Sequence, residues 1–323
     1  MNAGRNLLGG IRRTLAMIKA VFADIGTSAA FTYFSPAVWE RQRGSAMRGS
    51  NQMPHRERLV RDESQRPMAT TDERRGRRFL GTGRTLGAAH RGASRYAPEN
   101  TLAAFRRALD DGAPAVECDV RRTQDGQLVV IHDPTLDRTT DGRGAVASIT
   151  FKALRRLDAG RWFGGEWTGE RVPLFDEVLE LLRGRSLLEV EIKNNPTPAA
   201  GIEQQVVDAI RRHGMEDDAF VMSFDHQAVR RVRHAASGIA TGIIYSARLA
   251  DPVGAARAAE ADALCLEWPY LDDEVVAAAR RAGLGVFTWT VDDEALFRRC
   301  LALGIDGVSS NDTRLIARLA PQV

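Results

Sequence analysis

From residue 86 to residue 319 the sequence passes eight times from a short apolar run to a longer stretch with helical spacing. That alternation constrains the fold more than any other feature. Strands are predicted at 86–89, 115–120, 186–193, 219–224, 239–245, 262–267, 284–290 and 306–310. Helices are predicted at 100–111, 173–183, 199–213, 225–235, 252–259, 272–282, 292–303 and 312–319. Gly112, Gly214, Gly283 and Gly304 stand where helices should end, and Asp272 where one should begin. Parallel strands need such crossovers, and eight of them fit a (β/α)8 TIM barrel, an α/β fold. A doubly wound sheet would share the alternation, but no Gly-rich dinucleotide turn follows the first strand.

One segment breaks the rhythm. About fifty residues separate the second strand from the helix at 173, an insertion spanning roughly 121–171. Its Asp125-Gly126 pair, between RRT and QLVVIH, is a strong hairpin signal. The returning strand is expected to carry His132 over the C-terminal mouth of the barrel, where long loops bear function.

The chain divides by charge. Residues 1–89 hold 16 Lys and Arg against 7 Asp and Glu, whereas residues 90–323 hold 29 against 35. Residues 1–85 therefore read as a basic extension of low order, ahead of a barrel domain at 86–320. The acidic domain argues against nucleic acid as a partner and fits a cation site. Residues 6–34 are broken by Arg12, Arg13, Lys19 and Asp24, so no transmembrane segment is expected, and Lys19 weakens a signal-peptide reading. Cys118, Cys265 and Cys300 form no CxxC pair and read as buried small hydrophobes in a cytoplasmic protein.

The strand ends carry the chemistry. Residues two apart in a strand share a face, so Glu117 and Asp119 point together, as do Glu189, Glu191 and Lys193. Carboxylates turned into a barrel are costly unless they bind or pair. Glu117, Asp119 and Glu191 are the expected ligands of a hard divalent cation, Mg²⁺ or Ca²⁺. Glu189 lies deeper and is expected to neutralise Lys193 or Arg91. His90 and His132 end strands on either side of this cluster, positions that suit a proton acceptor and a proton donor in phosphodiester cleavage. Arg91 can grip a phosphate through two N–H groups, and Lys193 can offset its charge. His55, His213, His226 and His234 fall in the extension or on helices, where solvated roles suffice.

The run HRGASRYAPENTLAAFRRALDDGAPAVECDVRRTQDGQLVVIHDPTLDRTTDGRG resembles the glycerophosphodiester phosphodiesterases. So do VPLFDEVLELL, the EIK ending at Lys193, and VFTWTVDD around Trp289. The resemblance covers roughly residues 86–320. It implies a metal-dependent hydrolase that cuts a small glycerophosphodiester to sn-glycerol 3-phosphate and an alcohol such as choline or ethanolamine. It further implies that His90 and His132 are catalytic, Arg91 and Lys193 phosphate-binding, and Glu117, Asp119 and Glu191 the ligands of Mg²⁺ or Ca²⁺. Trp289 is expected to pack on the substrate or in the core. Ser309-Ser310-Asn311-Asp312-Thr313 departs from the family's Thr-Asp-x-Pro turn, although Asn311 or Asp312 can cap the last helix. Asn100 is expected to cap the first. A lipid-directed phosphodiesterase on the same barrel is the alternative activity, and a non-catalytic binding barrel is disfavoured because every chemical residue is present.

Overall fold

The computed structural model describes residue 76 and residues 78–320. The expectations for residues 1–75 fall outside them. Nine strands are present among the described residues: β1 Leu86–Ala89, β2 Ala115–Arg122, β3 Leu128–Val130, β4 Leu187–Ile192, β5 Ala219–Ser223, β6 Ala240–Tyr245, β7 Ala263–Glu267, β8 Gly285–Trp289 and β9 Gly307–Ser310. The helices are α1 Leu102–Asp110, α2 Phe151–Leu154, α3 Phe175–Leu182, α4 Ile202–Arg212, α5 His226–Ala235, α6 Pro252–Ala258, α7 Asp273–Arg281, α8 Glu294–Leu303 and α9 Thr313–Leu319. β1 pairs in parallel with both β2 and β9, which closes eight strands into a TIM barrel. β3 pairs antiparallel to β2 and stands outside the ring.

Local chemistry sets the helix boundaries. Asp272 accepts from Val275 N at the start of α7, and Asp312 accepts from Arg314 N and Leu315 N at the start of α9. Gly112, Gly214, Gly283 and Gly304 all have positive φ, between 63° and 80°, a region open to glycine without steric cost. Asn100 is not the cap of α1. Thr101 takes that role by accepting from Ala104 N, while Asn100 sits at φ 58° with its side chain turned inward. Asparagine tolerates the left-handed conformation, so the residue type that signalled a cap serves a different purpose.

Strand alternation splits the core in two. Outward residues such as Cys118, Val190 and Leu264 pack with Val206, Ile210 and Val276 from the helices. Inward residues Leu86, Ala115, Leu187, Phe220 and Phe287 fill the barrel. The Phe220 and Phe287 rings stack with centroids 4.7 Å apart. A Cβ at Gly307 would lie 2.2 Å from the Phe287 ring, so glycine there makes room for that stack. Phe79, 1 % exposed, caps the same cluster with its ring 5.7 Å from that of Phe220. The barrel's packing thus reaches back past residue 86 into the segment read as a low-order extension. All three cysteines are buried and free.

The insertion has its own core of Val129, Ile131, Leu136, Val146 and Leu154. Asp125 pins its turn by accepting from Thr123 Oγ1 at 2.7 Å and from Phe151 N at 2.9 Å. A small packed unit, rather than a free loop, therefore presents His132. No helix among the described residues is long and apolar enough to cross a membrane.

Candidate active site

In-register pairing of β2 with β4 sets Asp119 beside Glu191 and Glu117 beside Glu189. All four carboxylates are buried. Ligand oxygens of Glu117, Asp119 and Glu191 lie within 4.8 Å of one another, as the alternation predicts. Lys193 Nζ lies 2.5 Å from Glu191 Oε1 and 3.2 Å from Asp119 Oδ1. Arg91 donates its backbone N–H to Glu117 Oε2 at 2.8 Å, from a left-handed turn at φ 56°. Its guanidinium bonds Glu99 at 2.8 Å, with Nε 3.4 Å from Asp119.

Two cations do not balance this cluster. Burial pushes the Glu117 carboxyl well up, reinforced by Asp119 and Glu191. Burial also raises Glu191, with Lys193 pulling the other way. For Asp119 burial acts upward too, but Lys193 and Arg91 overcome it and hold this carboxylate low. Asp119 Oδ1 is buried without a hydrogen bond, its lysine contact being ionic only. Three converging hard oxygen donors, mutual repulsion and an unsatisfied carboxylate oxygen fit a divalent cation.

The deeper carboxylate behaves otherwise than expected. Glu189 pairs with neither Lys193 nor Arg91. It reaches Ser309 Oγ of β9 at 3.3 Å, leaves Oε1 unpartnered, and burial pushes it up to about 7. Arg91 and Lys193 stay at the mouth because Glu99, Asp119 and Glu191 hold them there.

Each histidine is oriented through Nδ1. His90 Nδ1 lies 2.8 Å from Asn311 Oδ1. Asn311 Nδ2 donates to Asp292 at 2.7 Å, so its oxygen must face His90 and accept. His132 Nδ1 donates to Asp133 Oδ1 at 2.7 Å. In both rings Nε2 is left to exchange protons with a ligand. Burial depresses His90 to about 4, aided by Arg91 and opposed by Asn311. It also lowers His132, with Asp119 and Asp133 resisting.

Sequence reasoning missed the residues that brace this arrangement. Arg138 makes four hydrogen bonds of 2.8 to 2.9 Å, two to Asp133 and two to Glu99. One guanidinium thus ties the partner of His132 to the partner of Arg91. Asn100 donates to Asp119 Oδ2 at 2.7 Å and accepts from the Asp119 backbone at 3.2 Å. Arg121 donates to the carbonyls of His132, Lys193 and Asn195 and stitches the hairpin to β4. Trp289 is partly buried, donates to Cys265 O at 3.3 Å and meets Phe224 edge-on at 5.7 Å. His213 and His234 pair with surface carboxylates, and His226 with the Ile244 carbonyl.

Residues 90–315 match the model of the glycerophosphoryl diester phosphodiesterase family. The chain belongs to that family. It is therefore a phosphodiesterase by class, in keeping with the site. A glycerophosphodiester phosphodiesterase of Caldanaerobacter subterraneus subsp. tengcongensis is 38% identical over 237 residues, covering 73% of this chain and 98% of its own. One from Bacillus altitudinis is 34% identical over 224 residues, with 68% and 91% covered. Among solved structures, an Agrobacterium tumefaciens glycerophosphodiester phosphodiesterase superposes with a TM-score of 0.65 at 33% identity, covering 73% of this chain and 100% of that one. An Oleispira antarctica phosphodiesterase in complex with the product sn-glycerol-3-phosphate gives a TM-score of 0.68 at 30% identity, with 73% and 97% covered.

Proposed function

We propose that the chain hydrolyses glycerophosphodiesters to sn-glycerol 3-phosphate and an alcohol. The observation that carries this reading is two Nδ1-anchored histidines flanking a buried carboxylate triad, with the Arg91 and Lys193 cations beside it. Relatives of this family are named for that activity, and one neighbour holds sn-glycerol-3-phosphate. Glu117, Asp119 and Glu191 would hold the divalent cation, Mg²⁺ or Ca²⁺. When bound, that cation supplies charge neutralisation beside the phosphate.

The chain's own residues divide the remaining work. Arg91 and Lys193 orient the phosphate and offset charge on its non-bridging oxygens. His90, held neutral by burial and backed by an uncharged amide, accepts the proton of the substrate's 2-hydroxyl. The 2-oxygen bonds to phosphorus as the bond to the alcohol oxygen breaks. His132, whose imidazolium is supported by the Asp133 carboxylate, gives its proton to the departing alcohol. Water then opens the cyclic phosphate with the two roles exchanged. An internal nucleophile gains the proximity advantage that a free water lacks.

Assays of glycerol 3-phosphate release from glycerophosphocholine and glycerophosphoethanolamine, with Mg²⁺, Ca²⁺ or EDTA, test this reading. Release abolished by EDTA and by His90→Ala is expected. Turnover that survives either treatment overturns the mechanism, and hydrolysis confined to lysophosphatidylcholine moves the activity to lipids.

A further inference from the structure

The two sides of the mouth differ in a way the phosphate chemistry does not use. β1, β2, β3 and β4, with the residues that follow them, carry the histidines, carboxylates and cations described above, and Asn311 follows β9. On the far side, Glu267 follows Ala263 and Cys265 on the inward face of β7, and Ser246 follows Ile244 on that of β6. The Ser246 hydroxyl donates to Glu267. Register pairs Glu267 with Trp289, which meets Phe224 edge-on at 5.7 Å. Lys193 Nζ stands 5.9 Å from the centroid of the Phe224 ring. A path therefore runs from the phosphate-binding lysine over Phe224 and Trp289 to Glu267.

Glu267 has no Lys, Arg or His partner among the described residues, whereas Glu99, Asp119 and Glu191 each face one. A half-buried carboxylate at the mouth of a site built for an anion, bonded by the Ser246 hydroxyl and facing no protein cation, is placed to receive a cation that the ligand brings. Aromatic faces beside a carboxylate attract an ammonium group, including one coated in methyls, through the ring quadrupole. Lys193 already lies over Phe224, which leaves Trp289 as the face open to a ligand.

We propose that Glu267, with Trp289, is a specificity-determining subsite for a positively charged leaving alcohol. The inference rests on the glycerophosphodiesterase reading above. The phosphate sits against Arg91 and Lys193, the alcohol chain crosses the aromatic pair, and its ammonium lies against Glu267. The chain thereby selects zwitterionic diesters of the choline and ethanolamine type over those with neutral alcohols.

The test measures kcat/KM for glycerophosphocholine and for glycerophosphoglycerol on wild type, Glu267→Gln and Glu267→Lys. The ratio of the two values is expected to fall about tenfold in Glu267→Gln and further in Glu267→Lys, mainly through KM for the cationic substrate. Because each variant is compared with itself on two substrates, partial misfolding cancels from the ratio. A ratio within about twofold of wild type in both variants overturns the proposal. That result would arise if Glu267 accepted hydrogen bonds from the glycerol common to both substrates. Wild-type protein that cleaves neither substrate defeats the glycerophosphodiesterase reading instead, so the two failures are distinct.

Discussion

The lower and upper layers of the barrel interior share eight strands yet obey opposite rules. Below, Leu86, Leu187, Phe220 and Phe287 interlock on the Phe79 plug with no charged side chain among them. Above, further along β2 and β4 than Ala115 and Leu187, Glu117, Asp119, Glu191 and Lys193 crowd together, with oxygens of the three carboxylates within 4.8 Å of one another. The lower layer gains stability from apolar burial, about 1.5–3 kcal/mol for each large side chain. The upper layer forfeits stability to hold charges in place for a ligand. A barrel can carry such strain at one end because the other end is packed without it.

Substitutions in the two layers should therefore have opposite effects on rate and on stability. In the upper layer, His90→Ala and His132→Ala should each lower kcat by about a thousandfold. Melting temperatures should barely move, since both rings lie at strand ends and contribute little packing. Rates of glycerol 3-phosphate release alongside thermal melts check this. In the lower layer, Phe79→Ala should cost about 3–5 kcal/mol of stability by emptying the base of the Phe220 stack. Urea denaturation measures that loss, and kcat of the folded protein at low temperature should be little changed. A large kcat defect in Phe79→Ala would mean that the layers are coupled.

Arg138 sharpens the contrast because it lies in neither layer yet serves the upper one. Its fork holds Asp133 and Glu99, so Arg138→Ala should lower kcat by about 10- to 100-fold through misplacement of His132 and Arg91. Arg138→Lys should recover only part, since one ammonium cannot bond both carboxylates in bidentate fashion. Adding Asp133→Asn to Arg138→Ala should cost little more, because the two act along one path. Fully additive losses would reduce Arg138 to general structural support.

These residues also show what a sequence can carry. The barrel was legible because alternation at period two and helical spacing are local properties, and Glu117, Asp119 and Glu191 stood out as charges where apolar residues belong. Asn311 was not, since it lies 221 positions from His90 and meets it only when β9 closes against β1. Glu99 and Arg138 are loop charges, and charges in loops are usually solvated; their signal was merely proximity to the two histidine motifs. Asn100 was misread because one residue type suits both a cap and a left-handed turn, and only the fold places Asp119 within its reach. Phe79 was hidden in a two-residue apolar scrap, Phe79-Leu80, that follows a run of basic residues. The far-side contact between Ser246 and Glu267 likewise required the β6–β7 register.

Glu189 marks the boundary between the layers, level with Glu117 on one side and Phe220 on the other. Burial raises it to about 7 against an ordinary 4.5, with only Ser309 opposing. The folded protein thus keeps a proton that the unfolded chain releases. Its contribution is fully present below 4.5 and is lost as pH rises through about 7. Glu189→Gln removes the titration while keeping the shape, so with EDTA present the variant and wild type should melt together at acidic pH. Above neutrality the variant should melt higher, by roughly a few degrees. A variant that melts lower than wild type at alkaline pH would show that the carboxylate is ionised and paired, placing Glu189 in the charged layer. The expected divergence above neutrality instead makes it a neutral acid at acidic pH, and the last residue to follow the rules of the packed layer below it.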